Sequence, residues 1–176
     1  MKGMVFTGFL EMVENQFGFV TASKIVNESN LQSKGVYTSV GTYDHKEIVN
    51  LVVSLSNNTG IPIPDLLEAF GKYLFAMLAK SYPQMINRDA GLFAFLSKID
   101  NYIHPEVLKL YPDAELPRFS VINYTESELV LTYHSARKME HLALGLFKGS
   151  IDHFSETATV DMEPLSTGDT KFILRK

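Results

Sequence analysis

Apolar residues fall in two different rhythms along this 176-residue chain, and the change of rhythm divides it. Val5, Phe9, Met12, Val13 and Phe17 recur at steps of three and four, the spacing of one helix face, until Gly18 stops the pattern. A second helix is predicted from about Val20 to Glu28, and the Ser-, Gly- and Thr-punctuated stretch from Asn30 to Thr42 reads as a loop. His45 to Leu55 is again helical, with Ile48, Val49, Val52 and Leu55 in phase and Asp44 placed to cap the first turn. Two prolines at 62 and 64 forbid a continuing helix and can open a new one, because proline is tolerated in a first turn. The helix that follows, to about Ser81, is apolar almost all round and so predicts burial on more than one face. Asp89 to Leu110 is expected to form one or two helices, interrupted at His104-Pro105.

After Pro117 the period shortens to two. Phe119 to Asn123 and Leu129 to Tyr133 read as strands joined through Thr125-Glu126-Ser127-Glu128, and Thr157 to Met162 and Thr170 to Leu174 as a second pair around Thr167-Gly168-Asp169. Between the pairs, Lys138 to Phe154 returns to helical spacing, with Ser135 a candidate N-cap. Helices first, then strands enclosing a helix, predict an α+β fold. The expected architecture is an N-terminal helical lobe, residues 1–62, packed on a C-terminal α+β lobe, residues 63–176, with a four-stranded antiparallel sheet.

Composition narrows the chemistry. The chain has no Cys, so disulfides, thiolate-bound zinc, iron–sulfur clusters, thiol nucleophiles and covalent c-type haem are excluded. A net charge of −4 argues against nucleic acid as the partner. The first residues meet Glu11 and Glu14 before an apolar run builds up, and no stretch reaches the roughly 18 to 20 apolar residues of a membrane span, so the expected setting is cytoplasmic.

Five histidines remain as candidate ligands or bases. His45, His134, His141 and His153 sit among polar neighbours and read as surface residues. His104 differs, because it lies in the apolar helical context Leu96 to Pro105 and directly precedes a proline. It is either a hydrogen-bonded core histidine or a ligand. Asp100, four residues earlier, could share a helix face with it, but two ligands are too few for a metal. A second constellation is Tyr133-His134-Ser135-Ala136-Arg137, where a phenol and a guanidinium fork could meet a carboxylate or phosphate. The competing reading is a capping serine with a structural ion pair. Val5, Phe9, Leu74, Leu78, Leu142 and Leu146 carry no polar tip and fit a core as readily as a pocket wall.

Four stretches together resemble a known family. Met1-Lys2-Gly3 with Phe9-Leu10-Glu11-Met12-Val13, the run Asn101-Tyr102-Ile103-His104-Pro105-Glu106-Val107, Leu116-Pro117-Arg118, and Tyr133-x-Ser135-x-Arg137 resemble bacterial stand-alone haem-nitric oxide/oxygen binding (H-NOX) domains, which are related to the haem domain of soluble guanylate cyclase. The resemblance spans essentially the whole chain. It implies a noncovalent haem b between the lobes, with His104 the axial iron ligand and Tyr133, Ser135 and Arg137 holding the propionates. Pro117, with Val5 or Met4, would distort the macrocycle, and Phe9, Leu74, Leu78 and Leu142, with Leu146 beside them, would line the distal gas pocket. Leu142 falls where oxygen-binding relatives carry a tyrosine, so the implied function is a nitric oxide sensor, binding NO and CO and O₂ only weakly, unless Tyr73 or His141 turns inward. The implied partner is a histidine kinase or a cyclic-di-GMP enzyme, with no activity of the chain's own as an enzyme, no membrane and no nucleic acid. The missing cysteines rule out the zinc site of some relatives. Two rival readings are an oxygen-binding haem sensor and a non-haem protein-interaction module.

Overall fold

The computed structural model describes residues 1–86 and 88–176. Helix α1 (Gly3–Phe17) buries Phe6, Phe9, Met12 and Val13 along the predicted stripe and ends at Gly18, whose φ of 84° favours glycine. Helix α2 (Phe19–Glu28) turns back and buries Ala22 and Ile25. A loop then leads to α3 (His45–Thr59), which starts as expected: the Asp44 side chain accepts from the Lys46 amide at 2.9 Å. Helix α4 (Ile63–Ser81) carries Pro64 in its first turn. The short α5 (Leu92–Leu96), a π-helical turn (Ile99–Ile103) and α6 (His104–Leu110) follow.

Strands β1 (Arg118–Tyr124), β2 (Glu128–His134), β3 (Thr159–Pro164) and β4 (Thr170–Arg175) form one antiparallel sheet in the order β1-β2-β4-β3, with α7 (Glu140–Phe154) between the pairs in sequence. The fold is the expected α+β arrangement. Pairing of Leu129 with Leu174 and of Leu131 with Phe172 aligns one apolar face, and this face covers Phe147 and Phe154 of α7 and Leu92 and Leu96 of α5. A second core gathers α1, α2, α3, α4 and the first turn of α7, through Phe6, Phe9, Ile25, Leu51, Phe70, Leu74 and Leu142. Among the described residues no helix is long and apolar enough to cross a membrane.

Helices α4 and α7 join the two cores by backbone contact. A methyl group at Gly145 would lie 2.1 Å from the Glu68 carbonyl oxygen, and one at Gly71 would lie 2.3 Å from that of Leu142. No side chain fits between them. Glycine at both positions lets the axes close until main chain meets main chain, and the Lys148 to Glu68 ion pair (2.6 Å) flanks the crossing.

Two local expectations are corrected. Ser135 does not cap α7: its Oγ accepts from the Arg137 amide (3.2 Å), a turn that uses the same side-chain chemistry, and Lys138 takes a left-handed φ of 50°. That kink delays the helix to Glu140, with Met139 at the N-cap position and no side-chain cap. The backbone at His104 is also ordinary right-handed helix (φ −61°, ψ −42°), and the irregularity falls one turn earlier. The wider π turn displaces the carbonyls that the Pro105 ring would otherwise strike, so the helix passes through the proline instead of breaking there.

The loop between α2 and α3 is organised from below by a buried carboxylate. Glu47, 4% exposed, accepts from the Ser33 amide (3.2 Å), Ser33 Oγ (2.5 Å) and Tyr37 Oη (2.7 Å). Tyr37 then stacks on Phe6 of α1, with ring centroids 4.5 Å apart. Burial pushes the Glu47 carboxyl up, but these donations outweigh it and hold it below its ordinary 4.5. A carboxylate depressed in the folded state stabilises above its unfolded pKa and loses that contribution as pH falls through the folded one. Glu47→Gln is expected to cost on the order of 1.5 to 3 kcal/mol at neutral pH. In urea unfolding across a pH series, the gap between wild type and variant should shrink below about pH 4.5.

Candidate functional site

His104 opens α6 with its side chain 16% exposed, and its Nδ1 lies 3.4 Å from Asp100 Oδ1. The same carboxylate oxygen accepts from the Phe119 amide of β1 at 3.0 Å, so Asp100 ties the imidazole to the sheet. Burial pushes the His104 pKa down from its usual 6.5, while Asp100 pulls the other way, and the ring is neutral at pH 7. With Nδ1 facing Asp100, the tautomer protonated at Nδ1 would leave the Nε2 lone pair for a ligand. Such an arrangement suits a ligand nitrogen oriented by a carboxylate behind it. Among the described residues no group of three or more His, Asp or Glu could hold a free metal ion, so a metal here must bring its other ligands with it.

A row of rings leads from this histidine to the second constellation. The Phe119 ring lies 6.0 Å from His104 and 5.3 Å from Tyr133, centroid to centroid. Tyr133 is buried, which raises its phenol, although bonds from Ser135 and the Met139 amide oppose the shift. The Ser135 turn holds Arg137 beside it, and Arg137 grips Glu115 twice: Nη1 donates to the carbonyl oxygen at 2.9 Å and Nη2 to the carboxylate. Tyr133, Ser135 and Arg137 therefore come together, and the guanidinium already binds a carboxylate. Arg137 also lines a cleft of about 390 Å³ shared with Lys2, Thr42, Asp44, Asp113 and Glu115.

The apolar candidates fall in the helical core. Phe9, Leu74 and Leu142 are buried, and Val5, Leu78 and Leu146 are half-buried against them. Met4 and Val5 sit in the first turn of α1, held by Met4 N to Ser39 O (3.0 Å) and Val5 N to Lys2 O (3.1 Å). Pro117 is half-buried immediately before β1. Tyr73 does not turn inward: Asn15 donates to its hydroxyl at 3.1 Å, and Glu11 bonds it as well, both exposed on α1. His134, read from sequence as a plain surface residue, pairs with Asp169 (3.1 Å) across the sheet.

Residues 2–162 match the profile of the Haem-NO-binding family. The chain belongs to this family, the H-NOX proteins. Its fold agrees: the ferrous unliganded H-NOX protein from K. algicida superposes with a TM-score of 0.94 at 41% identity, covering all of this chain and 96% of that one. The H-NOX from Shewanella woodyi, solved with IWP-051 bound and in the Fe(II)CO state, gives 0.85 at 41% identity, covering 100% and 94%. Soluble guanylate cyclase gcy-35 of Caenorhabditis elegans is 26% identical over 141 residues, which are 78% of this chain and 20% of that protein. The H-NOX chain thus spans about a fifth of the length of this curated relative. H-NOX domains are haem-binding gas-sensor domains and not catalytic themselves.

The donor set fits haem on its own chemistry. A half-buried neutral imidazole backed by a carboxylate at Nδ1 suits an axial ligand, and a guanidinium fork that already grips a carboxylate suits a propionate. Removing the Asp100 charge should lower the His104 pKa further, since that charge raises it. Titration of the haem-free Asp100→Asn variant by imidazole ¹⁵N NMR should show the downward shift, together with loss of the single Nδ1–H tautomer.

Proposed function

We propose that this chain is a nitric oxide sensor that binds haem b noncovalently between its helical lobe (1–62) and its α+β lobe (63–176), and that His104 is the axial ligand. The observation that carries the reading is the His104 environment: burial, neutrality, and an Nδ1 fixed by Asp100 so that Nε2 is presented. When bound, the iron supplies the site for the diatomic gas. Tyr133, Ser135 and Arg137 would hold the propionates, and Pro117, with Val5 or Met4, would press on the ring.

Gas choice follows from the distal side. Bound O₂ develops negative charge and is held by a hydrogen-bond donor, whereas NO needs none. Phe9, Leu74, Leu78, Leu142 and Leu146 offer no donor, and the Tyr73 hydroxyl is engaged with α1. These features favour NO and CO over O₂. Release of His104 on gas binding would free α6 and shift the lobes, meeting the requirement that a ligand act through different interactions with two states. The changed surface would be read by a histidine kinase or a cyclic-di-GMP enzyme.

His104→Gly should abolish the five-coordinate ferrous spectrum, and added imidazole should restore it. An unchanged spectrum would remove His104 from the iron. Leu142→Tyr should raise O₂ affinity by roughly 5- to 150-fold, the worth of one donor in a dry pocket, measured by laser flash photolysis. A wild-type ferrous protein that holds O₂ stably in air would favour the oxygen-sensor reading instead.

A further inference from the structure

The segment from Tyr111 to Phe119 leaves the His104 helix and enters the sheet, and alternate residues along it are clamped to different elements. Tyr111 Oη bonds Tyr82 Oη at the end of α4 (2.8 Å). Asp113 takes Lys2 Nζ (3.1 Å) and Thr42 Oγ1 (2.5 Å) from the helical lobe. Glu115 is gripped by Arg137, and the Phe119 amide donates to Asp100, behind His104. The strap therefore touches the axial histidine's support, the Tyr-Ser-Arg turn and the helical lobe within nine residues.

The clamp at Asp113 has a definite geometry. Lys2 Nζ also donates to Thr42 Oγ1 (2.9 Å) and lies 5.4 Å from the centroid of the Tyr111 ring, so its charge is shared between a carboxylate, a hydroxyl and an aromatic face. The Lys2 side chain is only 11% exposed, although Asp113 is 58% exposed. Lys2 itself is held by main chain: Gly3 N donates to Gly41 O (2.8 Å) and Tyr43 N to Met1 O (2.9 Å). Any displacement of Asp113 is thus delivered to Lys2 at the N-cap of α1, two residues before Met4 and three before Val5.

We infer that Lys2, Thr42 and Asp113 form the coupling latch of this sensor, the link through which movement of the His104 helix reaches the helical lobe. The inference rests on the haem reading above and deepens it. Asp113 is a positioning residue that touches neither gas nor ring. Coupling of this kind shows as non-additivity between residues and as loss of a distant response, not as loss of binding.

The test uses the ferrous haem protein and hydrogen–deuterium exchange with and without NO, on wild type, Asp113→Asn, Lys2→Met and the double variant. In wild type, NO should speed exchange both in α6 and in residues 1–5 and 38–43. Asp113→Asn should keep the Soret band and the α6 response while the helical-lobe response falls by about 2- to 30-fold, the range for a coupling residue. The double variant should be no worse than either single one. An undiminished helical-lobe response in Asp113→Asn, or simple additivity in the double variant, would overturn the latch. A wild-type protein that takes up no haem would overturn the haem reading, and the latch with it. The two failures are distinguished by the spectrum before any exchange is measured.

Discussion

Helices α4 and α7 approach so closely that a single methyl group at Gly71 or Gly145 would overlap a carbonyl oxygen. The rest of the molecule is arranged around that contact. Three residues before Gly145 on α7 is Leu142, which belongs to the helical core, and two after it is Phe147, which belongs to the sheet core. On α4, Leu74 lies one turn beyond Gly71 and faces the helical core, while Phe75 meets Phe95 with centroids 6.1 Å apart on the other side. Interiors pack near crystal density, so a pair of backbones in contact behaves as a rigid axle with a core on each side. Movement between the halves must then appear at the edges, where the strap from Tyr111 to Phe119 runs.

That strap explains how a weakly structured segment can serve a precise site. It contains no regular element before β1 begins at Arg118, yet it is fixed by Tyr82, Lys2, Thr42, Arg137 and Asp100 in turn. Each bond is modest alone, about 0.5 to 1.5 kcal/mol for a neutral pair. Their value is positional, since each clamps a different element to the same stretch of chain. The carboxylates at 100, 113 and 115 all hold geometry, on the Phe119 amide, on Lys2 and Thr42, and on Arg137.

Much of this was legible in the residues themselves. The Asp44 cap, the Gly18 stop and the proline start of α4 rest on local backbone chemistry, which a sequence displays directly. The alternation of Leu129, Leu131 and Tyr133 marks the face of β2 that enters the sheet core, although Val130 and Thr132 on the other face are buried as well. The family could be read from the residues at 104, 133, 135 and 137 and the stretches around them, because they resemble its motifs, and the profile match over residues 2–162 agrees. Other features left no local trace. Ser135 makes an equally good cap or turn, and only the left-handed Lys138 beyond it decides between them. Asp100 to Phe119 and Lys2 to Asp113 join residues 19 and 111 positions apart, so no window of sequence contains them.

The π turn at Ile99–Ile103 has a further consequence for how this family can vary. A π turn holds one residue more than an α turn, and here that turn lies immediately before His104. Deleting Asn101, Tyr102 or Ile103 would let the turn relax to α geometry and bring Asp100 from four residues before His104 to three, a shift of about 1.5 Å along the axis. The one oxygen that now meets both the imidazole and the Phe119 amide would give up part of that double contact. The number of residues in this stretch is therefore constrained by the two contacts of Asp100.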